Sequence, residues 1–253
     1  MTIGIISFIF GAMAGSFFYT LALRYLNGTI SASPREALLS SSKCPHCGER
    51  INPALLAPLV SYIILRGRCR SCRKPISPAY PAAEIICGAI LCLMTWRLGI
   101  SVITGLSFLL VCTALCISVI DIRTMKIPDS LVIVFLCLSI YPVLYYQNYM
   151  ENIFGLLLMA GFFGVILFLF PGSFGGGDIK LAAAMGLFCG FDLSIVVLET
   201  ALITGALTGI IYAMAKKRDL KSRIPFAPFL SAGLLVSILY GQDILLLYHF
   251  IIQ

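Results

Sequence analysis

Asp121 and Asp178 are the residues of this chain best suited to do chemistry. Asp121 ends an uncharged run of twenty-three residues, and Asp178 closes Gly175-Gly176-Gly177-Asp178. Each stands where an apolar segment meets a short polar loop. Acidic side chains at the edge of a membrane span are costly, which marks them as functional. Two carboxylates that meet can share a proton, activate a water and protonate a leaving nitrogen, the acid–base equipment of an aspartic protease. Asp178 opens a predicted helix and Asp121 closes one. A helix N-terminus favours a carboxylate and a C-terminus disfavours it, so the sequence assigns easier ionisation to Asp178 and the proton to Asp121. Gly175, Gly176 and Gly177 permit positive φ and close approach, so a peptide substrate can lie against main chain there. Pro128 breaks helix at Ile127, and Asp129 reads as a cap for the helix that follows.

A second cluster is built from sulfur. Cys44-Pro45-His46-Cys47 and Cys69-Arg70-Ser71-Cys72 give two C-x2-C pairs separated by twenty-one residues. Two such pairs make a tetrahedral thiolate zinc site of the zinc-ribbon type. A reducing cytoplasm keeps the thiolates available for metal, and the metal staples a loop too small to form a core. Redox thiols or disulfides, and unpaired cysteines, are the competing readings. His46 reads as a loop residue, because four sulfurs already close the site. The other six cysteines, Cys87, Cys92, Cys112, Cys116, Cys137 and Cys189, lie in apolar runs and read as small buried hydrophobes.

The elements that must position these groups are membrane helices. The chain is 60% hydrophobic and 11% charged, with a mean hydropathy of +1.00; soluble domains are nearer a quarter charged. An all-α polytopic membrane protein follows, with little chain left for a separate soluble domain. About eight transmembrane helices are predicted, near residues 3–24, 79–97, 101–120, 130–147, 152–171, 178–191, 193–215 and 226–248. The first run reads as a retained helix, since neither a basic start nor a clear cleavage site marks it as a signal peptide. The sixth is short, and charge argues for it. With eight spans, seventeen of the eighteen basic residues fall on one side, as the positive-inside rule requires of the cytoplasmic face. Without it, the Lys216–Arg223 cluster would change sides. Both aspartates and the cysteine loop then face the cytoplasm. The net charge of +7 reflects this topology. It adds attraction to anionic membrane lipid, and no soluble basic face is present for nucleic acid.

Taken together, Asp121-Ile122-Arg123-Thr124-Met125-Lys126-Ile127-Pro128-Asp129 and Gly175-Gly176-Gly177-Asp178-Ile179-Lys180 resemble the type IV prepilin peptidases, membrane aspartic proteases of the GxGD type. The resemblance extends to Gly15-Ser16-Phe17-Phe18-Tyr19 with Arg24, to both cysteine pairs, and to Tyr80-Pro81-Ala82-Ala83-Glu84. It implies that Asp121 and Asp178 are the catalytic aspartates. It also implies that the substrates are prepilins and prepilin-like proteins of a bacterial cytoplasmic membrane, each losing a short basic leader after a glycine at the cytoplasmic face. Longer bacterial members carry the cysteine segment and N-methylate the new terminus with S-adenosylmethionine. Residues 1–98, with the cysteine segment at about 25–78, would then be the methyltransferase part, and 99–253 the six-helix protease part. Glu84, followed by Gly88 in a Glu-x-x-x-Gly pattern, is the candidate cofactor-binding acid; a structural polar contact is the equal alternative. Phe18-Tyr19 departs from the commonest family pattern, which places an apolar residue and Asn there, and this bears on methylation more than on proteolysis.

Competing functions are a leader peptidase without methyltransferase activity, a transporter using intramembrane acids with a cytoplasmic zinc site, and a zinc-stapled scaffold. Acids at helix ends rather than mid-bilayer weigh against transport. Glu199 reads as a structural partner within the bundle, and His249 as a non-catalytic residue near the outer interface. Trp96 and Tyr145-Tyr146 read as interfacial anchors. Gly205 and Gly209 form a small-x3-small helix-packing pattern.

Overall fold

The computed structural model describes residues 2–32, 44, 47–49, 59–172, 174–216 and 224–252. His46 and the basic residues 217–223 lie outside them. The described residues form helices, turns and one isolated bridge between Arg68 and Pro75. They divide into two compact units, Met1–Ile100 and Ser101–Gln253.

The first unit contains α1 (Thr2–Leu26), α2 (Thr29–Ala32), α3 (Val60–Ile64) and α4 (Ala79–Leu98). The short α2 and α3 were not foreseen. Helices α1 and α4 run antiparallel at a spacing only glycine allows. A Cβ on Gly11 would lie 2.6 Å from the Cys87 carbonyl, one on Gly15 would lie 2.5 Å from that of Ala83, and Phe8 covers Gly88. Apolar surface gains little by association in lipid, so such close backbone packing is what joins membrane helices. Thr95 adds a hydroxyl bond of 3.0 Å to Ser7 across the pair.

The second unit contains α5 (Val102–Thr124), α6 (Asp129–Tyr146), α7 (Tyr149–Leu169), α8 (Gly176–Lys216) and α9 (Ala227–Ile252). Helix α5 is its centre, buried along most of its length from Thr104 to Asp121. Ser101 caps its start, accepting the Thr104 N–H at 3.0 Å. Met125, left-handed at φ 54°, stops it one turn beyond Asp121.

Seven described helices are long and apolar enough to cross a membrane. One of them, α8, is not straight. Gly190 breaks it at φ 77°, ψ 179°, a conformation natural only to glycine. Phe174, just before α8, stacks on Phe226 at 4.9 Å, and Gly205, far along α8, also lies against Phe226. Both regions reach one residue, so the helix folds back on itself at Gly190. Its legs, 176–189 and 191–216, are the predicted sixth and seventh spans. The short leg packs antiparallel to α7, where a Cβ on Gly155 would lie 2.4 Å from the Gly186 carbonyl. Asn152 fastens its far end, donating to the Leu187 carbonyl at 2.7 Å. The long leg runs antiparallel to α9, with Gly233 on Val197 and Gly205 on Phe229. Gly205 and Gly209 thus serve packing, as predicted.

Candidate active site and metal centre

The fold brings Asp121 and Asp178 together at one end of the second unit. Asp121 lies in the last turn of α5 and is buried. Its Oδ2 accepts the Ala227 N–H at 3.1 Å, the first residue of α9. One further contact holds α9 there: the Ser118 and Ser231 hydroxyls lie 2.8 Å apart one turn away, one donating to the other while the acceptor donates to its own helix. Asp178 is the third residue of α8. Its Oδ2 accepts the Gly175 N–H at 2.9 Å, the reach-back half of a capping box. Its Oδ1 is buried and has no hydrogen-bond partner among the described residues. Phe174, just before Gly175, meets Phe226, just before Ala227, at 4.9 Å, so the anchors of the two carboxylates are neighbours.

This geometry removes the expected asymmetry. Asp121 does close its own helix, but its carboxylate sits on the N-terminus of α9. Both aspartates therefore meet the favourable end of a helix dipole, and the dipole does not assign the proton.

The loop after Asp121 docks on the glycine turn. A Cβ on Gly177 would lie 2.9 Å from Ile127 Cβ, which is why this position has no side chain. Gly175, Gly176 and Gly177 do not adopt positive φ; among the described residues of this turn Gly172 does, at 89°. Gly177 serves close approach to Ile127 and Gly175 supplies an N–H for Asp178, whereas a Cβ on Gly176 would stand in open space; Gly176 and Gly177 are already helical. Asp129 does not cap α6, whose N-cap is Pro128 with no side-chain bond. It pairs instead with Lys180 at 2.7 Å, linking the two motifs through exposed charges whose pairing adds little stability.

Phe174, Phe226, Ala227 and Ile127 are the site residues that sequence reasoning missed. Pro225 and Pro228 mark a helix start near Phe226, but no local signal links that start to an aspartate 106 positions away.

In the first unit, Cys44, Cys47, Cys69 and Cys72 place four sulfurs within 4.8 Å of one another. Cys44–Cys72 and Cys47–Cys69 are each 3.9 Å apart. A tetrahedral ion with metal–sulfur bonds of about 2.3 Å has an edge of about 3.8 Å, so the donors fit a metal. The two knuckles repeat one backbone pattern. Cys44 N–H binds the Glu49 carbonyl and Cys69 N–H that of Lys74, both at 2.9 Å. Gly48 N–H returns to Cys44 and Arg73 N–H to Cys69; both turning residues are left-handed, at φ 71° and 57°. N–H groups of Cys72 and Ser71 hold the Cys69 thiol down at about 7, whereas Cys47, despite the Glu49 N–H, is pushed up to about 11 by desolvation and the neighbouring sulfurs.

Glu84 is buried in α4 and its Oε2 accepts the Leu59 N–H at 2.8 Å. Leu59, at φ 62° and ψ −44°, is the N-cap of α3. The contact is a structural one, but its partner is a backbone N–H rather than the expected side chain of Arg24 or another helix. Tyr19 is buried edge-to-face on Tyr80 at 4.9 Å. Glu199 accepts a hydrogen bond from the Tyr248 hydroxyl, in keeping with a structural role. His249 is exposed. Trp96, Tyr145 and Tyr146 are exposed as anchors should be.

Two family models match the chain: the bacterial peptidase A24 N-terminal domain over residues 9–98 and the type IV leader peptidase family over 108–211. The chain is 32% identical over 248 residues to a Bacillus subtilis (strain 168) protein named prepilin leader peptidase/N-methyltransferase, covering 96% of each. Proteins of that name from Burkholderia pseudomallei (strain K96243) and Pseudomonas aeruginosa (strain PAO1) are 33% and 29% identical, over 81% and 85% of this chain and 69% and 78% of theirs. No solved structure matches. With the similarity running along nearly its whole length, the chain belongs to the type IV leader peptidase family.

Proposed function

We propose that this protein is a bifunctional enzyme of a bacterial cytoplasmic membrane. It removes the short basic leader of prepilins and prepilin-like proteins after a glycine, at the cytoplasmic face, and N-methylates the new terminus. Asp121 and Asp178 are the catalytic pair. The observation that carries this reading is their arrangement. Two carboxylates from distant sequence share one end of a helix bundle. Each has one oxygen on a peptide N–H, and Asp178 Oδ1 is left without a partner among the described residues.

The pair performs acid–base hydrolysis. One carboxylate takes a proton from water as the oxygen attacks the carbonyl carbon of the scissile amide. The other delivers a proton to the nitrogen, the C–N bond breaks, and the pair ends ready for another cycle. Peptide N–H groups on the Oδ2 atoms hold both carboxylates in place during the exchange.

The four cysteines hold zinc, the ion that an all-thiolate tetrahedral set suits best in a structural site. Zinc closes the loop between α2 and α4 and takes no part in cleavage. S-adenosylmethionine supplies the methyl group, and Glu84 is the acid proposed to serve its site. The relatives' names support both activities, and they weigh against the transporter and scaffold readings.

The test is incubation of the purified protein with a prepilin, scored for leader loss and for terminal mass. Leader loss with a 14-dalton gain on the new terminus is the expected result. Leader loss without the gain removes the methyltransferase half. No leader loss removes the proposal.

A further inference from the structure

We propose that Phe174 and Phe226 are positioning residues that fix the spacing of the Asp121–Asp178 pair through their contact with each other, an inference that rests on the protease reading above. Phe174 directly precedes Gly175, whose N–H holds Asp178. Phe226 directly precedes Ala227, whose N–H holds Asp121. The rings meet edge to face at 4.9 Å and 77°. Each therefore stands one peptide from the donor that anchors a carboxylate.

Neither donor is placed by regular structure on its upstream side. Phe174 is non-helical, and so are residues 224–226 before α9. Downstream, cap bonds tie each to its own helix: the Asp178 N–H on the Gly175 carbonyl, and the Phe229 and Leu230 N–H groups on that of Phe226. Side-chain packing then sets how the two helix starts approach each other. Both rings lean on Phe163 of α7, at 5.0 and 5.5 Å, and Phe163 is fully buried. Phe229 backs Phe226 at 5.8 Å. Gly205 leaves room on the same side, where a Cβ would lie 3.3 Å from the Phe226 ring. Edge-to-face rings have a preferred geometry that aliphatic contacts lack, so this cluster defines a distance rather than merely filling space. A shift of one ring against the other carries a donor, and with it a carboxylate. Two carboxylates that share one proton depend on their separation.

The experiment uses the full chain in detergent and a prepilin bearing a basic leader, a glycine and its apolar segment. Phe174→Leu, Phe226→Leu, the double variant, Phe174→Tyr and Phe226→Tyr are compared by kcat, KM and the pH profile of leader release. Each leucine variant is expected to lower kcat at least tenfold with KM within twofold, and to displace the limbs of the pH profile. The tyrosine variants, which keep the ring, recover most of the rate. The double variant is no more than twofold slower than the slower single one, because one contact is lost in either case. Should leucine prevent folding, methionine at the same position carries the same expectations. Wild-type kcat and pH profile in the leucine variants, a loss in KM alone, losses that multiply in the double variant, or tyrosine variants as slow as leucine would each overturn the inference. Wild-type protein that releases no leader would instead overturn the protease reading, and this inference with it.

Discussion

Gly177→Ala tests the docking of the two motifs. The added methyl would lie 2.9 Å from Ile127 Cβ, with the next atoms at 3.5 and 3.6 Å. Carbon atoms rest at about 3.5–4.0 Å, so the 125–128 loop and the first turn of α8 must separate by roughly 1 Å. The offending atom is a Cβ, fixed to the backbone, and no rotamer change relieves it. Asp121 lies just before that loop and Asp178 lies in that turn, so the separation acts on the pair. A misplacement of about 1 Å at a catalytic site costs on the order of 100-fold in rate. The expected result is a kcat for leader release about 100-fold below wild type, equivalent to ~2.7 kcal/mol of barrier, with the protein still folded. Removing the opposing atom should reverse it. Ile127→Gly combined with Gly177→Ala should recover most of the loss, whereas Ile127→Ala, which keeps the Cβ, should not. Wild-type rates in Gly177→Ala would refute the reasoning, as would equal rescue by glycine and alanine at position 127.

Asp121→Asn and Asp178→Asn each keep an oxygen able to accept the Ala227 or Gly175 N–H, so each should fold at the wild-type unfolding temperature and release no leader; residual turnover near wild type in either would exclude the pair. Metal analysis of the purified protein should find one zinc per chain, lost in Cys69→Ser, and four free thiols without metal would remove the zinc site. Glu84→Gln keeps an acceptor for the Leu59 N–H, so zinc content should hold while methylation falls; Glu84→Ala leaves that N–H unmatched at a cost of about 1–3 kcal/mol and should lower thermal stability as well. Full methylation in Glu84→Gln would confine Glu84 to its structural bond. Gly186→Ala puts a Cβ 2.3 Å from the Gly155 carbonyl and should destabilise by about 1–3 kcal/mol through overpacking, read as a lower unfolding temperature; an unchanged one would show that α7 and α8 are not so closely packed.

Much of this protein was legible before any coordinates. Apolar runs located the helices because hydrocarbon demands internally bonded backbone. Charge asymmetry called for two spans in 176–216, and Gly190 divides that helix into two legs. The four cysteines announced their cluster because C-x2-C spacing closes a knuckle locally, and the two knuckles do share one backbone pattern. Asp121 and Asp178 stood out because carboxylates are rare at span edges. The reading of Asp129 as a cap and of Gly175–Gly177 as a positive-φ loop failed for a common reason. Both helices begin one or two residues earlier than local preference put them: Pro128 holds the N-cap of α6, and Gly176 and Gly177 already belong to α8.

The sequence by itself determined which groups this protein has to work with and which segments carry them, since hydropathy, charge and short-range spacing are written along the chain. Only the tertiary structure decided what those groups meet. The Ala227 N–H on Asp121 crosses 106 positions, and the Phe174–Phe226 stack joins two non-helical segments. Such contacts depend on where whole helices cross, and close packing among glycines sets those crossings in three dimensions.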